Sequence, residues 1–232
     1  WQLDIEVTPG EPVRFGEINI NITADETRNL FIPVTAELPV MTGQVLDHSQ
    51  YERLKSSISG HAVENGFFAG HFVQSELAVD MNSGLANVNI SYNPGSRYQF
   101  GDITINPMDE LSNEFLSRFL NFEPGDFYSS DALYRLRQNL NDSQYFSQIA
   151  VTPQITQAVN DQVPVVIDLV TRPRRAYSAG AGVSTDNGPR FRLSYEDRYI
   201  NRRGHRLNAD LAVSTMQQEP TLSYVIPLTD AV

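Results

Sequence analysis

The sequence of 232 residues contains no cysteine, so structural disulfides are excluded and the redox compartment stays open. It also lacks any apolar run near the roughly 20 residues that a membrane-spanning helix needs. No segment is of low complexity, and aromatic residues make up 10% of the chain. We therefore expect a folded protein without a helical membrane anchor.

Signs of catalysis and of metal binding are missing as well. The four histidines lack metal-ligand spacing, and we expect them to share no acidic partner at helical distance. The 28 carboxylates form no pair flanked by a nucleophile or a base. Gly180-Ala181-Gly182 lacks the third glycine and the following helix of a dinucleotide loop. The sequence predicts a protein that is not an enzyme and that carries no metal or cofactor.

Charge is distributed unevenly along the chain. Residues 1–171 hold 8 basic and 22 acidic side chains, a net charge of −14, whereas residues 172–232 hold 9 and 6, a net charge of +3. This shift, at Arg172-Pro173-Arg174-Arg175, indicates a domain boundary. The acidic larger part argues against nucleic acid as a partner, since phosphate binding needs clustered cations.

The larger part contains an internal repeat. Residues 9–20 return 85 residues later, without a gap, as residues 94–105, with Phe-Gly-acid-Ile at the centre of both copies. A repeat of this length indicates one small domain used in series. The alternation in residues 3–7, which also precede a Pro-Gly pair, predicts that residues 1–8 close a preceding copy.

Each copy predicts the order β-α-α-β-β. The Phe-Gly-acid-Ile segment alternates as a strand does, and its glycine indicates a bulge or a close backbone approach. A first helical stretch, 26–38 or 112–120, precedes a second helix that opens at Asp47 or Ser129, both good N-cap residues. The two closing strands are predicted at 70–79 and 86–92, and again at 146–155 and 163–170. The fold class is α+β.

The last sixty residues show four alternating segments and no helical pattern. Their apolar positions are Tyr177, Ala179, Ala181, Val183, Phe191, Leu193, Tyr195, Tyr199, Leu207, Leu211, Val213, Leu222, Tyr224 and Ile226, against mostly polar or charged neighbours. Two structures fit this alternation: a soluble sheet packed on a core, or the first strands of an outer-membrane barrel. Four strands alone cannot close a barrel.

Motifs in both parts resemble one family. The element order, the Phe-Gly-acid-Ile strand and Gly66-Phe67-Phe68 resemble polypeptide-transport-associated (POTRA) domains, although the second copy has Gln144-Tyr145-Phe146 instead. Residues 175–190, 201–205 and 221–224 resemble the opening barrel strands of the BamA/TamA superfamily. The resemblance implies POTRA modules at 9–93 and 94–172, after the end of an earlier module at 1–8, and about four barrel strands within 173–232.

The resemblance also implies a function and a location. Family members lie in the outer membrane of Gram-negative bacteria, in contact with outer-membrane lipid, and keep their POTRA modules in the periplasm. They insert and fold unfolded outer-membrane clients such as autotransporters, together with a TamB-like inner-membrane-anchored partner. The alternatives are a two-partner-secretion-type pore for one dedicated client and a periplasmic structural adaptor without a membrane role.

Unpaired strand edges are the predicted binding sites. A three-stranded module leaves backbone N–H and C=O groups free to pair with a foreign strand, and pairing of this kind tolerates many sequences. We place the main partner-binding edge in the first module and a barrel seam in the first strand of the last part. Pro153 weakens the equivalent edge of the second module because it lacks an N–H. The candidate edge residues are Gly70, His71, Phe72, Val73, Gln74, Ser75 and Glu76; the candidate seam residues are Tyr177, Ser178, Ala179, Gly180, Ala181, Gly182 and Val183.

Overall fold

The computed structural model describes residues 10–23, 28–36, 38–106, 109–184, 188–215 and 217–227. The predicted end of a preceding module, residues 1–8, lies outside the described residues. The strands are β1 Arg14–Ile22, β2 His71–Asp80, β3 Leu85–Asn93, β4 Gln99–Ile105, β5 Phe146–Pro153, β6 Gln162–Thr171, β7 Arg175–Ser184, β8 Gly188–Asp197, β9 Arg206–Ser214 and β10 Gln218–Val225. The helices are α1 Ile32–Ala36, α2 His48–Glu64, α3 Asn113–Ser117 and α4 Ser130–Asp142.

The chain forms two compact units. One runs to Tyr98 and includes Phe127–Ser129; the other holds Gln99–Asp126 and all residues from Ser130 onward. The second repeat and the last sixty residues therefore share one unit.

Both repeats fold with the predicted order of elements. In the first, β3 lies between β1, which it pairs in parallel, and β2, which it pairs antiparallel. In the second, β6 lies between β4 and β5 with the same directions. The parallel pair needs a helical crossover, which α1 and α2, or α3 and α4, provide. The second strand of each repeat in sequence, β2 or β5, therefore lies at one border of its sheet.

The repeated glycine forms a bulge in both copies, as the sequence predicted. The β1–β3 register shifts between Phe15 and Ile18, and the β4–β6 register shifts between Phe100 and Ile103. A Cβ on Gly101 would come within 3.2 Å of the Val163 carbonyl carbon, so only glycine fits there without displacement. The bulge turns both phenylalanines into the core, where they are fully buried.

The helices are shorter than predicted at the start of each repeat. The stretch 26–38 gives a 3-10 turn, Arg28–Phe31, and one helical turn in α1, while the stretch 112–120 gives only α3. By contrast, α2 begins where predicted, because the Asp47 carboxylate accepts the Ser49 N–H at 2.9 Å. Its buried side, which faces the sheet, consists of Tyr51, Leu54, Ile58 and Ala62.

The end of the second helix is similar in both copies despite the different residues. Gly66 has φ +87° and Gln144 has φ +60°, so the glutamine adopts the left-handed conformation that glycine favours. Phe67 and Tyr145 are correspondingly both buried. The next position differs: Phe146 begins β5, whereas Phe68 precedes β2 by three residues.

The four strands described within the last sixty residues form one antiparallel sheet in the order β10-β9-β8-β7. Its register brings the alternating apolar positions onto one face, for example Ala179 beside Leu193 and Leu193 beside Leu211. Tyr199 is an exception to the prediction, since it lies beyond β8 and is 8% exposed.

Substitution of Gly66 tests the left-handed helix end. A methyl group there would lie 3.0 Å from the Tyr128 Cβ and 3.2 Å from the Tyr98 carbonyl oxygen, at a φ that alanine disfavours. We expect Gly66→Ala to lower the free energy of unfolding by about 2 kcal/mol or more. Gly43→Ala is the control, because Gly43 has φ +83° but open space, and should cost only about 1 kcal/mol. Equal losses in urea denaturation would contradict the steric part of this account.

The cap of α2 predicts a pH dependence. Hydrogen bonds from Ser49 lower the pKa of Asp47, so the folded state binds this proton more weakly than the unfolded state does. The stabilisation is therefore present above the unfolded pKa and is lost as the pH falls through the lowered folded value. Asp47→Asn keeps a capping oxygen that does not titrate. The stability of the wild type relative to this variant should fall between about pH 5 and pH 2; a constant difference would contradict the cap.

Candidate strand-pairing edges and apolar sheet face

The two borders of the first sheet are not equally open. The start of β1 pairs with the loop before α2: the Phe15 N–H donates to the Gln44 carbonyl at 2.8 Å, and the Gly43 N–H donates to the Phe15 carbonyl at 2.7 Å. Among the described residues, no element pairs with the outer border of β2. The predicted edge residues therefore lie at the open border.

The second sheet repeats this arrangement. The Phe100 N–H donates to the Asp126 carbonyl at 2.8 Å, and the Gly125 N–H donates to the Phe100 carbonyl at 2.8 Å. Within the part of the chain that the structure describes, the outer border of β5 has no partner strand. The first strand of each repeat, β1 or β4, is thus partly covered, whereas the outer border of β2 or β5 has no partner among the described residues.

The register shows which backbone groups of β2 point outward. The Tyr92 carbonyl accepts the Thr23 N–H at 3.0 Å, so the backbone groups of Tyr92 point away from β2. Backbone direction alternates along a strand, and every second pair in an antiparallel ladder exchanges no hydrogen bonds. The β2 residues in such pairs direct both N–H and C=O to solvent: Phe72, Ser75, Leu77 and Val79.

The same reasoning explains where Pro153 acts. The Ile167 carbonyl accepts the Asn106 N–H at 3.0 Å, so its opposite residue on β5, Val151, points its backbone outward. Ile149 and Pro153 lie in the same alternating set. The missing N–H of Pro153 is therefore absent from the open border and not from the ladder to β6, which is how sheets tolerate proline.

Side chains give the β2 border two different sides. Phe72 packs on the core beside Tyr92, with the Lys55 ammonium 6.0 Å from its ring centroid. On the other side Gln74 donates to the Glu76 carboxylate at 3.1 Å. Val73 is the extra residue of a bulge and is 63% exposed. A strand added at this border would meet apolar groups on one side and polar groups on the other.

The remaining predicted residues lie at the start of this border. Gly70 directly precedes β2, and its Cβ position is filled by the Tyr92 hydroxyl, so a larger residue would displace that ring. His71 begins β2, and its Nδ1 lies 3.2 Å from the Ala69 carbonyl oxygen.

The sequence did not predict a cleft beside β5. Its volume is about 430 Å³, and it lies along α4 and the start of β5, with lining residues Tyr134, Arg137, Gln138, Asn141, Ser147 and Ile149. The available signal was Tyr134, an aromatic residue on the exposed side of a helix whose buried side is leucine.

The seam residues occupy β7, at one border of the last sheet. The Arg198 N–H donates to the Arg174 carbonyl at 2.8 Å, and this register directs the N–H and C=O groups of Ser178, Gly180 and Gly182 toward β8. The outward set is therefore Tyr177, Ala179, Ala181 and Val183. Among the described residues no strand pairs with this border.

One face of the last sheet is apolar and exposed. Tyr177 and Leu222 are each 74% exposed, and Val183 is 84% exposed. A shallow depression of about 680 Å³ on the sheet includes Tyr177, Ala179, Leu193, Tyr195, Leu211 and Leu222 among its lining residues. Tyrosines cluster at one end of this face. The ring centroids of Tyr177 and Tyr195 lie 5.2 Å apart, and the Tyr224 hydroxyl lies 2.8 Å from the Nδ1 of His205.

The other face of the last sheet is polar and internally paired. The Arg192 guanidinium lies 3.1 Å from the Asp210 carboxylate, which also accepts the Ser194 hydroxyl at 2.6 Å. The two faces therefore need different surroundings.

Within the described ranges, no group of three or more histidine, aspartate or glutamate residues is placed to hold a metal ion. One expectation about histidine was wrong, since His48 has an acidic partner one turn along α2: its Nε2 lies 3.6 Å from a Glu52 carboxylate oxygen. That pair is exposed on a helix surface. Of the described helices, none combines the length and the hydropathy required to span a bilayer.

Comparison with known proteins supports the reading of the second repeat. Residues 98–172 match the family model of the POTRA domain, described as surface antigen variable number repeat. The structure of BamA from Haemophilus ducreyi lacking POTRA domains 1–3 is similar to this chain, with a TM-score of 0.73, 16% identity and coverage of 93% of this chain and 40% of that one. At this identity the similarity establishes a shared fold that extends through most of the chain.

Two other solved structures show a weaker similarity to this chain. CdiB from Acinetobacter baumannii gives a TM-score of 0.48 at 16% identity and covers 94% of this chain and 41% of its own. BamA POTRA3–5 from Haemophilus influenzae gives a TM-score of 0.49 at 13% identity and covers 67% of this chain and 60% of its own. TM-scores below 0.5 do not establish a common fold. The chain spans less than half the length of the BamA and CdiB chains that cover it almost completely.

Proposed function

We propose that this chain is part of an outer-membrane assembly protein of the BamA/TamA superfamily, of the TamA type. Its β-α-α-β-β modules lie in the periplasm of a Gram-negative bacterium, and the last sheet is the beginning of a barrel in contact with outer-membrane lipid. Unfolded clients such as autotransporters pair with the open borders, and a TamB-like inner-membrane-anchored protein is the partner. The observation that carries the proposal is that open strand borders and an exposed apolar sheet face occur in one chain.

The dimensions and chemistry of the last sheet support its membrane setting. Its strands have 8 to 10 residues, close to the roughly 9–11 that a tilted transmembrane strand requires. An outward apolar band, aromatic residues near one end and a polar opposite face are the features of transmembrane barrels. In water, by contrast, an apolar face of this extent would have to be covered.

The open borders support the client-binding role. The outward groups of β2 repeat at Ser75, Leu77 and Val79 without an interrupting proline. Backbone pairing of this kind recognises an extended chain and not a particular sequence, which suits clients that are unfolded and varied. No covalent chemistry is required of the chain.

Proline substitution tests the client-binding border. Ser75→Pro removes an outward N–H and leaves the hydrogen bonds to β3 in place, so the module should fold while client crosslinking at β2 falls at least about tenfold. Ser75→Ala is the control and should bind clients as the wild type does. A folded Ser75→Pro protein with unchanged client crosslinking would overturn the role of this border.

Arginine substitution on the two faces of β8 tests the membrane setting. Leu193 lies on the apolar face and its neighbour Ser194 on the polar face, beside Asp210. For a position at mid-membrane, Leu193→Arg should make the free energy of membrane insertion about 2–4 kcal/mol less favourable. Ser194→Arg should be tolerated because its side chain does not face lipid. Insertion is measured as heat-modifiable migration of the full-length protein. If Leu193→Arg and Ser194→Arg were tolerated equally, the result would favour the soluble adaptor. In the client-crosslinking experiment, capture of a single client would favour the dedicated secretion pore.

A further inference from the structure

The turn between β8 and β9, residues 198–205, is seated on the second repeat. The Ser112 N–H, at the start of α3, donates to the Arg202 carbonyl at 2.9 Å. The Tyr199 hydroxyl donates to the Arg172 carbonyl at 3.0 Å. All of these residues belong to the same compact unit. The turn is thus hydrogen-bonded to the repeat at two places, at the start of α3 and just after β6.

Gly204 fits this seat because it has no side chain. It adopts φ +74°, and a Cβ would lie 2.5 Å from the Phe115 Cζ. Its carbonyl accepts the Tyr145 hydroxyl at 2.6 Å, and the Tyr145 and Phe115 rings meet edge to face at 5.2 Å. Burial raises the pKa of Tyr145, which keeps the hydroxyl protonated as a donor.

Arg206 also takes part in this contact, because it packs on the face of the Tyr145 ring. Its guanidinium carbon lies 3.9 Å from the centroid of the Tyr145 ring, and one of its terminal nitrogens donates to the Ser143 carbonyl. A cation over an aromatic face is attractive, more so when partly desolvated. The Nε of Arg206, however, is buried and has no hydrogen-bond partner among the described residues. The seated state leaves this donor unsatisfied, and release into water would satisfy it.

We propose that Tyr145, Gly204 and Arg206 form a releasable latch that joins the second repeat to the last sheet. While the latch is closed, the β5 border and the sheet move as one body. When Arg206 withdraws, the turn leaves its seat and the repeat pivots about the connection at Arg172-Pro173. The latch depends neither on the identity of the client nor on the membrane setting of the sheet.

Distance measurements between spin labels test the latch. Cysteines introduced at Gln148 on β5 and Glu219 on β10, both exposed, are the labelling sites, and the chain has no native cysteine to interfere. The full chain should give one narrow distance distribution. Arg206→Met and Tyr145→Phe should broaden it, and the Ser112 amide should exchange hydrogen at least about tenfold faster.

Two further variants separate the latch from general destabilisation. Gly204→Ala should broaden the distribution through its collision with Phe115 and its disfavoured φ of +74°. Adding Phe115→Leu should narrow the distribution in part, because it removes the collision and leaves the backbone strain. Gly180→Ala is the control, because its Cβ would meet no atom within 4 Å, and should leave the distribution narrow. A distribution that stays narrow in Arg206→Met and in Gly204→Ala, with the protein folded, would overturn the latch.

Discussion

The need to pair backbone N–H and C=O groups governs this protein. In each β-α-α-β-β repeat the third strand pairs with the first in parallel and with the second in a hairpin, so it lies in the centre, and the helices connect the two outer strands. The middle strand in sequence then has one paired and one free side. The free borders of β2 and β5 are consequences of this topology and not of any special residue.

Much of this could be predicted from sequence because the determinants are local. The Phe-Gly-acid-Ile segment specifies a bulge in both copies, and an aspartate before α2 specifies its first turn. Period-two alternation also placed the apolar residues of the last sheet on one face. Each of these depends on residues within a few positions of one another, or on the simple geometry of a strand.

Other features depended on contacts that no local pattern reveals. Gln144 takes a left-handed conformation that its identity argues against, and it follows the end of α4 by two residues as Gly66 follows the end of α2. Tyr199 fits the alternation of β8, yet it leaves the strand to contact Arg172. Gly204 and Tyr145 are 59 residues apart, so their contact was invisible before the two parts were folded together.

The placement of proline distinguishes the free borders from one another. In β5 the outward set includes Pro153, and in β10 it includes Pro220, since the Ser214 N–H bond to the Gln217 carbonyl fixes that register. The outward sets of β2 and β7 contain no proline. In β5 and β10 proline therefore removes only a donor that faces outward, and the ladder to the neighbouring strand is kept. An added strand would therefore meet no missing donor in the outward sets of β2 and β7, and one missing donor in those of β5 and β10. For this reason we propose that the first repeat and the first strand of the last sheet are the stronger pairing sites.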